Sequence, residues 1–92
     1  MIDTSAYSNP RDADGFGAMA MARLNLAIES DMDKEQLRSF ISDEIDLMER
    51  EREHATRYRK VYDENVAISR VFEVEALEWA RRQLEETSQE TQ

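Results

Sequence analysis

The sequence predicts an all-α fold, a small bundle of three helices, on three observations. The only Pro and both Gly fall within the first 17 residues, so the rest of the chain lacks strong helix breakers. Apolar residues recur at three- and four-residue steps from Phe16 to Ala80, the period of helices that bury one face. The length of 92 residues allows one domain with a modest core.

Residues 1–12 are expected to form a flexible N-terminal arm, and 13–86 the single helical domain. Helix 1 spans about 13–30. Its start is set by Asn9-Pro10 or, because Gly15 and Gly17 each cost about 1 kcal/mol in a helix interior, by the neighbourhood of Asp14. Phe16, Met19, Ala20, Leu24, Ala27 and Ile28 make its apolar face, and the alanines of 18–22 keep it slim enough for close approach. Helix 2, about 34–62, opens on the strongest local signal in the chain. Asp33 and Gln36 have capping-box spacing, with Met32 and Leu37 at the two hydrophobic-staple positions. Leu37, Ile41, Ile45, Met48, Ala55, Tyr58 and Tyr62 form its stripe. Helix 3, about 66–86, carries Ile68, Phe72, Ala76, Trp79 and Ala80, widened by Val71 and Leu77. The polar tail 87–92 is expected to fray.

Between the last two stripes Asp63 and Asn65 are poor helix formers. A turn near residue 64 makes helices 2 and 3 antiparallel; the alternative is one long continuous helix. The antiparallel arrangement sets Arg50 against Glu78, Arg52 against Glu75 or Glu78, and Asp46 against Arg82, all of opposite sign. A continuous rod would instead pair acidic and basic blocks of helix 2 across an antiparallel homodimer.

Composition excludes several functions. With 21 acids against 12 Lys plus Arg, a net charge of −9 and a pI near 4.5, the chain lacks the clustered cations that grip phosphates, so direct nucleic-acid binding is not expected. Nor is an anionic membrane surface a suitable partner. No cysteine means no disulfide framework, thiolate nucleophile or Cys-ligated metal, which fits a reducing, cytoplasmic setting. The N-terminus has no signal-peptide pattern, and no apolar stretch approaches the ~20 residues of a membrane span.

Two motifs touch on metal chemistry. Asp12 and Asp14 with Gly17 resemble the opening of a calcium loop, but Arg23 stands where the closing bidentate Glu is required. Glu51 and His54 have the spacing of paired ligands in di-iron bundles, yet facing carboxylates are lacking; only a symmetric oligomer could gather them. No nucleophile elbow or phosphate loop occurs, so the chain is expected to be non-enzymatic and without cofactor.

What remains is a protein–protein interaction module. Residues 1–33 carry net −4, 34–60 net 0, and 61–92 net −5. The surplus acid points to a partner protein with a basic surface, such as a nucleic-acid-binding protein met by an inhibitor or DNA-mimic-like decoy, or a toxin. Expected partner-binding residues are the acids Glu29, Asp31, Asp63, Glu64, Glu73, Glu75 and Glu78 with the aromatic anchors Tyr58, Tyr62 and Trp79. The alternative is a structural subunit that forms a homodimer or part of a larger assembly.

Overall fold

A computed structural model describes residues 2–58 and 64–90. Three helices carry the fold: α1 (Phe16–Glu29), α2 (Lys34–Arg57) and α3 (Glu64–Glu90), preceded by one 3-10 turn at Thr4–Ala6. The helices run up, down and up, and α3 is the central element. Both α1 and α2 pack chiefly on α3 and touch each other little.

α1 starts later than residue 13 because Asp12, Gly15 and Gly17 build its N-terminus. Asp12 accepts hydrogen bonds from the Phe16 and Gly17 amides at 2.9 and 2.7 Å, which satisfies two donors that a helix leaves free. Gly15 sits at φ +72°, a left-handed conformation that costs glycine nothing. A Cβ at Gly17 would lie 2.9 Å from the Tyr7 ring and 3.2 Å from the Ala76 Cβ, so this glycine lets α1 close on α3. The pair of acids that resembled a calcium loop thus includes a helix cap. At the other end Ser30 donates its hydroxyl to the Leu26 and Ala27 carbonyls, and Asp31 turns the chain at φ 59°.

α2 opens with the expected capping box. The Gln36 amide donates to Asp33 Oδ1 at 2.9 Å, and the Asp33 amide donates to Gln36 Oε1 at 3.0 Å. Met32 packs against the core beside it and Leu37 is fully buried. The helix ends at Arg57, earlier than the expected 62, with Tyr58 leaving helical geometry. α3 begins at Glu64 and runs to Glu90, beyond the expected 66–86 at both ends.

α2 and α3 lie side by side and antiparallel, which excludes the continuous rod. The register differs from the expected one. Glu51 pairs with Arg70 at 2.6 Å and Arg38 with Glu85 at 2.8 Å. Asp46, Arg50, Arg52 and Arg82, expected to lock the helices, are exposed instead. Because α3 takes Glu64 into its first turn, the reversal falls earlier along the chain and every cross-helix partner shifts.

The core contains Leu24, Leu37, Ile41, Leu77 and Leu84, with Ala20, Ala76 and Ala80 where helices approach closely. Two faces are rotated from expectation. In α1 Met21 is buried and Met19 exposed. In α3 the inward stripe is Ser69, Glu73, Ala76, Leu77, Ala80 and Leu84, leaving Ile68 and Val71 exposed. Apolar periodicity passes over Ser69 and Glu73 because one is small and polar and the other charged.

The N-terminal arm lies along the bundle, attachments that periodicity does not report. Ile2 is buried, Thr4 donates to Asn25 at 2.7 Å, and the Tyr7 ring packs 5.3 Å from Trp79. Among the described residues no helix is long and apolar enough to cross a membrane.

Candidate protein-interaction site

The acids of the chain divide into those used internally and those left free at the surface. Glu73 is the one buried carboxylate among the described residues. It accepts from Arg23 of α1 at 3.2 Å and from Arg70 of α3 at 2.6 Å. Arg23 also reaches Glu44 at 3.3 Å, and Arg70 reaches Glu51, so a chain of five charges ties all three helices together. Burial lowers the Arg70 pKa, but hydrogen bonds to Glu73 and Glu51 outweigh it and hold the guanidinium above its ordinary value. Glu73, expected to meet a partner, is therefore a structural ion and unavailable for docking.

The other expected contact residues are scattered. Glu75 accepts from Asn9 at 2.9 Å and from Arg11 at 3.5 Å. With Glu78, Tyr7, Trp79 and Arg82 it lines an open depression of about 370 Å³ beneath the arm. Trp79 is half-buried there and packs on the core. Tyr58 is exposed at the opposite end of α2, its ring 5.8 Å from that of His54. Glu64 opens α3, while Tyr62 and Asp63 lie outside the described residues. A larger depression, about 1060 Å³, is bounded by α2 alone from Asp46 to Arg57; a single helix face forms it and nothing encloses it.

Glu29 and Asp31 are the two expected residues that the fold places in a common acidic field. Because α1 and α3 run parallel, both end where α2 begins. Glu29, Asp31, Asp33, Glu35, Glu85 and Glu86 are all exposed at this end. Lys34 and Arg38 on α2 and Arg81 and Arg82 on α3 are the cations nearest to them in sequence, and Arg38 is engaged by both Glu35 and Glu85. The Arg38 hydrogen bond holds the Glu85 carboxyl below its ordinary value, outweighing an opposing effect of burial. The same contacts raise the Arg38 guanidinium. The C-terminus of α1 brings a negative helix-dipole pole to this end and the N-terminus of α2 a positive one, so the field rests on the side-chain carboxylates. Asp33, Glu35, Glu85 and Glu86 were not among the expected contacts, although an up-down-up order of three helices already implies that 29–35 and 85–86 share an end.

Glu51 is committed to Arg70 and His54 stacks on Tyr58, so the Glu-x-x-His spacing does not gather ligands within one chain. Among the described residues no group of three or more His, Asp or Glu is placed to hold a metal ion. No protein-family model matches the chain, and no curated protein and no solved structure matches it significantly.

Proposed function

We propose that this chain is a non-enzymatic interaction module that presents its acidic end to a basic surface of a partner protein. The observation that carries the reading is the convergence of Glu29, Asp31, Asp33, Glu35, Glu85 and Glu86 on one end, where they outnumber the neighbouring cations Lys34, Arg38, Arg81 and Arg82. Glu73, by contrast, is internally paired and adds nothing to the outer field. Such a field steers a cationic partner during encounter and makes association fast and salt-sensitive. A basic groove that otherwise holds nucleic acid is one surface of matching sign, which makes the module an inhibitor or decoy. The absence of cysteine suits a cytoplasmic protein.

Affinity capture from the source cell at low salt (~50 mM) tests the reading, since exposed charges attract over a longer Debye length there. The triple variant Asp31→Asn, Glu35→Gln, Glu86→Gln should lose a basic partner that the parent recovers, whereas Glu78→Gln should keep it. Equal recovery by both variants removes the acidic end from the interface.

A further inference from the structure

The outer side of α1 and α2 carries a second surface, built on the Arg23–Glu44 ion pair. Met19 lies one turn before Arg23 and Leu26 one turn after it; Phe40 and Leu47 flank Glu44 in the same way. Because α1 and α2 are antiparallel, Met19 falls beside Leu47 and Leu26 beside Phe40. Met19 is 57% exposed, Leu26 68% and Leu47 39%, so among the described residues half of the exposed large apolar side chains surround one ion pair. Phe40 is partly buried at the edge of the core. The pair itself is open to one side, with 37% of the Arg23 side chain and 20% of that of Glu44 accessible. Ordinary surface leucines and methionines occur singly and need no account; a strip of them on two neighbouring helices does.

We infer that a second copy of this chain covers the α1/α2 face, α1 of each copy packing antiparallel on α2 of the other about a two-fold axis parallel to the helices. The strip is self-complementary in that arrangement and in no other simple one. Each copy presents an apolar–cationic–apolar row, Met19, Arg23 and Leu26, beside an apolar–anionic–apolar row, Leu47, Glu44 and Phe40. A two-fold parallel to the helices sets row on opposite row, so Arg23 meets Glu44 of the second copy and the four charges alternate around a ring. A two-fold across the helices would put Arg23 on Arg23 and Glu44 on Glu44, which is repulsive. Glu51, one turn beyond Leu47 on α2, is already paired with Arg70, and Asp43, exposed beside Glu44, adds one further acid to the anionic row that faces Arg23 of the second copy. An isologous contact of this kind closes on itself and stops at the dimer.

The 14 residues of α1 span about 21 Å, which places the contact among small interfaces and its affinity in the micromolar range. The two −9 chains repel at a distance, and salt screens that repulsion more than it screens the half-buried ring. Dimerisation therefore strengthens as salt is raised towards ~0.3 M, the opposite of docking to a basic partner, and the two proposals can fail separately.

Sedimentation velocity of the full chain tests the inference. The mass should pass from monomer to dimer as concentration rises through the micromolar range, and a monomer persisting near ~1 mM overturns it. Leu26→Glu should weaken the dimer by about tenfold or more while leaving the helical circular dichroism unchanged, since that side chain is exposed in the single copy. Geometry is read separately by disulfide trapping, because the chain has no cysteine of its own. Met19→Cys chains mixed with Leu47→Cys chains should cross-link under mild oxidation, and neither should do so alone. Cross-linking of Met19→Cys with itself, in preference to the mixture, overturns the proposed axis.

Discussion

Glu73 shows at the scale of one residue how this small fold chooses a single arrangement. Removing a carboxylate from water costs several kcal/mol unless it is met by matching charge and hydrogen bonds. Here two guanidiniums meet it from different helices, and each has a second acid of its own. Glu73→Gln keeps the shape but leaves Arg23 and Arg70 with one acid each. Urea denaturation should show a loss of about 1–3 kcal/mol. A change within a few tenths of a kcal/mol would mean that the network adds nothing to stability. Neither Glu73 nor its neighbour Ser69 on the buried stripe was legible in the sequence. A hydrophobic pattern scores apolar atoms, and a buried charge becomes affordable only through partners fifty and three residues away along the chain. Gly17 is a similar case: its role depends on Tyr7 and Ala76, which only packing brings near.

Elements were legible where their signals are local. The capping box of Asp33 and Gln36 needs four consecutive residues and no tertiary contact, so the start of α2 was readable to the residue. Its end was not, because Arg57 and Tyr58 carry no breaker and the reversal depends on how α3 packs. The same holds for the pairing of the two helices. Charge complementarity alone suggested Arg50 with Glu78, whereas the core contacts of Leu37, Ile41, Leu77 and Leu84 select a register in which Arg38 meets Glu85. That pair makes a pH prediction. The Glu85 carboxyl is held below its ordinary value of about 4.3 when folded, so its contribution is present above that pH and is lost as pH falls through the lowered folded value. Between about pH 5 and pH 3 the parent should therefore lose more thermal stability than Glu85→Gln does. Parallel melting curves for the two proteins would show that this pair does not bind protons differently in the folded and unfolded chains.

At the scale of the whole molecule the bundle is uneven. It measures 49 by 25 by 22 Å, and α1, with 14 residues, accompanies only part of the 24-residue α2. The part of the α2–α3 pair beyond Phe16, about a third of its length, has two helices instead of three, and Ile68, Val71 and Tyr58 are exposed there. Amides of 50–57 and 65–71 should exchange with deuterium faster than those of 37–48 and 73–84, because fewer buried contacts oppose local opening. Uniform protection along both helices would indicate a single cooperative unit. The net charge of −9 also acquires a location at this scale: part of the acid is spent inside, and much of the remainder stands at the end shared by the α1–α2 turn and the last turns of α3.

The sequence by itself determined that the chain is helical, where α2 begins and which residues of Lys34–Arg57 face inward, while the choice between three helices and a continuous rod waited for the packing of α2 on α3. Those properties rest on period, caps and breakers, which act over a few residues. Tertiary structure alone decided the register of α2 on α3, the rotation of α1 and α3 that buries Met21 and Glu73, and the attachment of the arm through Ile2 and Tyr7. It also sorted the acids into one structural ion and one exposed field. The reason is that burial of a charge, close approach at a glycine and the sharing of an end by distant residues are properties of two or more helices at once. No single stretch of chain carries them.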